Sequence, residues 1–399
     1  VDYSNFLQLL HNEIESPINK RRQRIITFVH PRQYAECLYY LRKLKPSLSK
    51  LQHVQSSNLI QALICPLSSD GIIDQIMDQF RDTLIIEEDV QMRVHDVQSP
   101  KYEIPQSIPW GVKQIRAPQT WSTSTGYQVK IGVIDTGVDF NHPDLRNSLA
   151  RGINLINRTM LPYDDNGHGT HISGTIAAAN STQGMIGIAP RATIYPVKAF
   201  DYNGSAFVSD IILGIEWCVR NQVNIINMSF GMKTRSRALL DVVKKAYHAG
   251  IVIVASSGND RKKYSIDYPA RYPQTISVGA TDKYRRIASF SNRGPFVDIY
   301  APGDKIISCW NHSKYNEMSG TSMATSHVSG AIALLLAQRP GLTPAEIKNL
   351  LLRSASSLKS KNDWRRVSEG KAGEVNALRL MRDGLKKYAN SKKTAPSFE

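Results

Sequence analysis

The sequence predicts an α/β fold: a parallel sheet covered by helices on both faces, preceded by a small ferredoxin-like α+β domain. Three observations carry this expectation. Between residues 129 and 338, five short apolar runs alternate with amphipathic helical stretches, the pattern of strands buried on both faces. Upstream, residues 24–87 read in the order βαββαβ, the split motif of ferredoxin-like domains. Residues 97–108, rich in Pro, Ser and Gln, separate the two regimes.

The elements follow in order. Residues 1–22 form a polar, weakly helical extension. The small domain spans 23–96. It opens with a β-rich run at 24–29 and continues with a helix at 31–44, which places Tyr34, Cys37, Leu38 and Leu41 on one face. Residues 51–55 and 59–64 read as short strands around Ser56-Ser57-Asn58. A second helix at 69–80 turns Ile72, Ile73, Ile76, Met77 and Phe80 inward, and 83–87 is a fourth strand. The main domain spans 109–385. Its strands are expected at 129–134, 193–198, 224–227, 251–256 and 275–279, and its helices at 171–179, 208–221, 237–248 and 328–338. Surface helices follow at 342–357 and 374–385, the first opened by Thr343-Pro344. Residues 386–399 are a basic tail, expected to be disordered beyond Tyr388.

The chain has 399 residues, 41% of them hydrophobic and 21% charged, the composition of a soluble globular protein. No apolar run is long enough to span a membrane. The net charge of +16 is uneven: residues 1–96 hold 11 Lys and Arg against 12 Asp and Glu. An anionic partner is one reading of the basic remainder and a solvated surface is the other. Bases are not interleaved with aromatic residues as single-strand binding requires, so nucleic acid is not expected. Cys37, Cys65, Cys218 and Cys309 lack paired spacing, which argues for buried free thiols rather than a disulfide framework or zinc site.

Candidate chemistry gathers where strands end and helices begin. Ser322 lies just ahead of the apolar run at 328–337. A serine there is either an N-cap or a nucleophile at the positive end of a buried helix. Asp135 directly follows the run Lys130-Ile131-Gly132-Val133-Ile134, at the carboxyl end of a parallel strand where reactive groups collect. It could orient an imidazole or cap a helix. His168 sits between Gly167 and Gly169, which leave its ring free. His171, three residues on, reads as a packed core histidine, with a His-x-x-His metal pair ranked well below. Asn259 ends another strand in Ser256-Ser257-Gly258-Asn259, where its amide could donate to an oxyanion.

Together, Asp135-Thr136-Gly137, His168-Gly169-Thr170-His171, Ser256-Ser257-Gly258-Asn259 and Gly320-Thr321-Ser322-Met323-Ala324 resemble the four signature blocks of subtilisin-like serine proteases (subtilases), in the family's chain order. The similarity covers roughly residues 105–380. The βαββαβ unit, with Ile85-Ile86-Glu87-Glu88-Asp89-Val90, resembles the family's inhibitory propeptide.

The resemblance implies a serine endopeptidase made as a self-processed zymogen. Ser322 would be the nucleophile, His168 the base, Asp135 its orienting carboxylate, and Asn259 with the Ser322 N–H the oxyanion site. Gly204, Ser205 and Ala206 on one side, and Ser229, Phe230 and Gly231 on the other, would pair with an extended substrate. Val208, Ile211 and Phe230 would line an apolar pocket, and Ser256, Ser257 and Gly258 are carried over as substrate-binding. Asp267 falls at the base of the primary pocket, where a carboxylate favours Lys or Arg before the cut; the other reading points it to solvent or at Arg271. After Asp89 the chain would lie in the groove, with Met92 in the apolar pocket and His95 before the cut, although the linker length leaves about 95–105 open, Lys101 included. Similarity also implies structural calcium at Gln106, Asp144 and the loop holding Ala179, Ser181, Gln183 and Met185, with an empty turn as the other reading. Ser181 stands where the family usually has Asn, and Ser326 where it nearly always has Pro. The expected partners are protein and peptide substrates and the chain's own propeptide, with no membrane, in a secreted monomer. The alternative is a catalytically silent, propeptide-bound protein that binds an anionic partner.

Overall fold

The computed structural model describes residues 2–14, 23–67, 70–80, 82–96, 101–102, 108–179, 184–359 and 372–393. The N-terminal layer begins with α1 (Tyr3–Glu13), whose first turn is capped by the Asp2 carboxylate accepting from the Ser4 and Asn5 amides. There follow β1 (Gln23–Phe28), α2 (Pro31–Leu44), β2 (Gln55–Ser57), β3 (Ala62–Pro66), α3 (Asp70–Phe80) and β4 (Leu84–Glu88), the strands forming a sheet in the order β2-β3-β1-β4. Strand alternation gives this sheet two working faces. Ile26, Phe28, Leu63 and Cys65 face a core shared with the helices, while Ile25 and Ile64 join the core of the main unit.

Two expectations fail here. Residues 51–55 are not a strand: Ser49–His53 is a 3₁₀ turn that buries Leu51, and the strand starts at Gln55. The N-terminal stretch is no polar extension either. Tyr3, Phe6, Leu7 and Leu10 lie on one face of α1 and are buried against Phe28 and Phe80, an i, i+3, i+4, i+7 helical spacing hidden in a polar composition.

The chain then enters the main unit as an extended strand, β5 (Gln91–Val94). The short β6 (Lys101–Tyr102) and α4 (Trp110–Gln114) lead to a seven-stranded sheet built from β7 (Lys130–Asp135), β8 (Ile153–Asn154), β9 (Thr193–Lys198), β11 (Ile225–Met228), β13 (Val252–Ser256), β14 (Thr275–Thr281) and β15 (Ile299–Pro302). The intervening elements are α5 (His168–Ala177), β10 (Ser205–Phe207), α6 (Val208–Arg220), β12 (Phe230–Gly231) and α7 (Arg237–His248). All pairings in the large sheet are parallel, in the order β15-β14-β13-β11-β7-β9-β8. The first of these strands in the chain, β7, sits inside the sheet. The winding therefore reverses between β7 and β11, which opens a crevice at their carboxyl ends. The hairpin β16 (Ile306–Trp310) and β17 (Lys314–Met318) follows, then α8 (Thr321–Gln338), α9 (Pro344–Ser354) and α10 (Ala377–Lys393).

Helix α8 is buried on every side from Thr321 to Leu336, as an all-round apolar helix in a protein core must be. It begins seven residues before the expected apolar run, and α5 begins at His168 rather than His171. Both helices therefore start on candidate residues. Helix α10 runs to Lys393, past the expected end of order. Helix α9 carries a full capping box between Thr343 and Glu346. All four cysteines are buried free thiols.

Candidate active site

The crevice is built from three termini. Asp135 ends β7, His168 opens α5 and Ser322 stands in the first turn of α8, and all three are fully buried. His168 Nδ1 donates to Asp135 Oδ1 at 2.7 Å, and the Thr136 amide donates to the same oxygen at 2.8 Å. Burial alone would lower the His168 pKa, but the Asp135 carboxylate outweighs it and the value is raised; Asp96 adds to the effect. Asp164 ties the two loops together. Its Oδ1 accepts from Thr136 Oγ1 and from the Asn166 and Gly167 amides, and its Oδ2 accepts from the Thr170 amide and hydroxyl.

His171 takes the core role expected of it. Its Nε2 faces the Ile306 and Asn316 carbonyls at 2.9 and 3.0 Å, and burial pushes its pKa down to about 3, so it is neutral.

Asn259 Oδ1 accepts from the Thr321 amide at 3.0 Å and from the Thr321 hydroxyl at 2.8 Å. That fixes the amide orientation and leaves Nδ2 buried with no protein partner. His168 Nε2 is likewise buried without a partner. Orphaned groups are costly unless something fills the space between them. The Ser322 hydroxyl donates to Ser229 O at 2.8 Å rather than to His168.

The chain's own segment fills the crevice. Strand β5 runs antiparallel between β10 and β12, pairing Met92 with Ala206, Arg93 with Ser205 and Gly231, and Val94 with Phe230. Gly204 O accepts from the Val94 amide and Ser229 O from the His95 amide, each at 3.2 Å. Met92 is buried in the cluster containing Val208, Ile211 and Phe230. A β-carbon on Gly320 would stand 2.4 Å from the His95 carbonyl oxygen and 3.3 Å from Asn259 Nδ2. The His95–Asp96 peptide bond therefore lies at the start of α8, beside the orphaned amide.

The His95 ring enters a pocket that holds Ser256 and Asp267, the one expected from the resemblance to be the primary pocket. Its Nδ1 is 2.7 Å from Ser256 Oγ and its Nε2 2.9 Å from Asp267 Oδ2. Asp267 is thus turned inward and 3% exposed, while Arg271 stacks on Phe296, so the solvent-facing alternative fails. Burial would raise the Asp267 pKa, but His95 and Lys233 together lower it. Lys233 bonds Asp267 Oδ1 at 2.5 Å and also reaches Asp260. Gly258 shapes this wall, since a β-carbon there would stand 2.9 Å from Asp267 Oδ2. Ser257 is engaged elsewhere through its backbone, to Val278, Asp267 and the Asn292 amide, and no bond joins it to β5 among the described residues.

Sequence reasoning missed Asp164, Thr321, Lys233 and Asp260. Thr321 stood inside a quoted block, and Lys233 lies two residues beyond an edge segment. Asp260 directly follows Asn259 in the sequence, and only the folded loops show what Asp164 holds together.

Of the candidate metal ligands, Gln106, Ser181 and Gln183 lie outside the described residues. Asp144 is buried, and its Oδ2 accepts from the Met185 amide at 2.9 Å and from Tyr315 Oη at 2.8 Å; the Ala179 amide donates to Asp144 O. Asp144 therefore ties Ala179 to Met185. His142 and Cys309 lie near Asp144. Both His142 ring nitrogens, however, are used within the protein, by Lys314 O and the Asp144 amide, so this cluster offers no imidazole lone pair to a metal.

A model of the Subtilase family matches residues 126–378. The chain belongs to the subtilase family. It is 45% identical over 262 residues to subtilisin E of Bacillus subtilis (strain 168), covering 64% of this chain and 68% of that one. It is 45% identical over 260 residues to a subtilisin of Bacillus pumilus, with 94% of the relative covered. Subtilisin Savinase of Lederbergia lenta is 42% identical over 258 residues. This subtilase is a serine endopeptidase of the subtilisin type, acting on peptide bonds.

Proposed function

We propose that this subtilase is a self-processing zymogen. Ser322 attacks the carbonyl carbon of an extended substrate, His168 takes the hydroxyl proton and later returns it to the leaving amine, and Asp135 holds the tautomer and steadies the imidazolium. Asn259 Nδ2 and the Ser322 amide receive the oxyanion. Attack requires the Ser322 hydroxyl to leave Ser229 O and donate to His168 Nε2. The observation that carries this reading is the His95 carbonyl beside the buried, unpartnered Asn259 amide, which its reaction would satisfy.

In this reading residues 23–96 are the inhibitory propeptide and His95–Asp96 is the maturation bond. The propeptide is held at a distance from the chemistry. The Glu87 carboxylate accepts from the Arg237 and Ala238 amides that open α7, Asp89 accepts from the Ser209 amide and hydroxyl in the first turn of α6, and Ser57 donates to Glu216. Each carboxylate meets the positive end of a helix. The inward Asp267 supports a preference for basic residues before the cut.

Calcium would be held by Asp144 and carbonyl oxygens of the 179–185 loop, supplying charge to bind that loop down. An extracellular location is proposed from the family resemblance.

The test is incubation of the purified chain, followed by N-terminal sequencing and labelling with a serine-directed phosphonate. A new terminus at Asp96 and label on Ser322 are expected. An intact chain that takes no label would overturn the reading.

A further inference from the structure

We infer that the primary pocket of this subtilase is built to select histidine, through a two-point clamp in which Ser256 Oγ meets imidazole Nδ1 and Asp267 Oδ2 meets Nε2. This rests on the proposed cleavage after His95 and deepens it from basic residues in general to one side chain.

Four observations converge. First, both ring nitrogens are engaged at hydrogen-bond distance, 2.7 Å to Ser256 and 2.9 Å to Asp267, with the pocket closed over the ring to 10% exposure. Second, the clamp accepts either protonation state. A hydroxyl can donate to a bare Nδ1 or accept from Nδ1–H, and Asp267 needs only Nε2–H, present in that neutral tautomer and in the imidazolium. Third, the walls leave room for a flat ring. A β-carbon on Gly231 would stand 2.5 Å from His95 Cε1 and 2.7 Å from Asp267 Cβ, so a side chain at Gly231 would exclude the imidazole.

Fourth, the pocket discriminates against the longer cations. Lys233 already occupies the second oxygen of Asp267 and is shared with Asp260. Two carboxylates and one ammonium leave a single negative charge, which one imidazolium neutralises. A lysine or arginine head reaches farther from its Cα than Nε2 does and would have to share Asp267 with the Lys233 ammonium. A phenyl ring fits the same slot but takes the imidazole partner from Asp267 Oδ2 and leaves the Ser256 hydroxyl only the Phe230 carbonyl at 3.5 Å, which is how a polar site rejects an apolar isostere.

The experiment uses the self-processed chain, diluted until the N-terminal segment leaves the groove, and a series of fluorogenic amides, Gln-Met-Arg-Val-X, with X as His, Lys, Phe or Ala. The kcat/KM for His is expected to exceed that for Phe and for Lys by roughly tenfold or more, the factor for one lost hydrogen bond to a charged group. Ser256→Ala and Asp267→Ser are each expected to shrink the His-to-Phe ratio, and Lys233→Ala to raise Lys relative to His. A misfolded variant would lose all substrates together, so the ratio separates selectivity from damage. Phe or Lys cleaved as well as His by the parent would overturn the histidine pocket while leaving the protease standing. Hydrolysis of none of the four, with no phosphonate label, would overturn the protease reading itself.

Discussion

Replacing Asp89 with alanine should release the N-terminal unit from the catalytic unit. Asp89 is 4% exposed, and its two oxygens accept from the Ser209 amide at 2.8 Å and the Ser209 hydroxyl at 2.6 Å. Hydrogen bonds to a charged partner contribute about 1.5–3 kcal/mol each, and a carboxylate at a helix start adds about 0.3–1 kcal/mol. Losses within one network do not add fully, so a total of about 2–4 kcal/mol is reasonable, or roughly 30- to 1,000-fold in dissociation constant. The assay is serial dilution of the self-processed protein with a fluorogenic peptide, reading the concentration at which activity appears. The Asp89→Ala protein should become active at a concentration higher than the parent's by that factor, with circular dichroism confirming an intact fold. Ser209→Ala removes only the hydroxyl bond and should move the midpoint by a smaller factor. Coincident dilution curves for Asp89→Ala and parent would refute the argument that helix-start contacts hold the inhibitor.

Further outcomes follow from other parts of the site. Asn259→Ala should lower kcat by the roughly 10²–10³-fold known for the corresponding amide of subtilisin, with KM little changed, checked by steady-state kinetics. Chelation should lower the melting temperature if calcium sits at Asp144, and calcium should restore it; melts that coincide with and without chelator count against the metal. His171 and His327 are buried and neutral, their pKa values pushed down to about 3 and about 4 from 6.5, chiefly by burial. Below pH 6.5 the unfolded chain binds protons that the folded one refuses. Stability should therefore fall as pH drops, by about 3–4 kcal/mol in total between pH 7 and 5 for the two groups. Replacing either with a neutral isostere such as Gln should flatten the pH dependence of the melting temperature.

The main sheet and its helices were legible because doubly buried strands and amphipathic helices differ in period. The four blocks were legible because each pairs a reactive side chain with glycine or a strand end. Where the reading failed, the deciding force was not local. Strand β15 and the β16–β17 hairpin were missed because runs such as Ile299–Pro302 and Lys314–Met318 take their strand character from neighbours. Helix α1 was read as weakly helical, but its buried face was missed on composition although Tyr3, Phe6, Leu7 and Leu10 carried its period. Asp267 was undecidable from sequence, because its direction depends on His95, far upstream, and on Lys233, on a different segment.

On the proposed zymogen reading, the placement of the contacts explains how one segment would be both substrate and inhibitor. Binding that is equal in ground state and transition state raises affinity without speeding the chemical step. Glu87, Asp89 and Ser57 grip the starts of α7 and α6 and Glu216, all away from the His95–Asp96 bond, and none of these contacts changes as the carbonyl becomes tetrahedral. The N-terminal layer adds burial of the same uniform kind. One face of its sheet packs on its own helices, but the other carries Ile25, Ala62 and Ile64 into the main unit's core, with Ile60 beside them. Separation would expose that strip to water, at about 25 cal/mol per Å² of apolar surface. Cutting His95–Asp96 removes none of these interactions. The cleaved segment should therefore stay seated, and release should be governed by the helix-start carboxylates and this apolar face rather than by the peptide bond. A variant carrying Ile25→Asp should leave the groove after processing far faster than the parent, while its rate of self-cleavage, set at Ser322, falls much less.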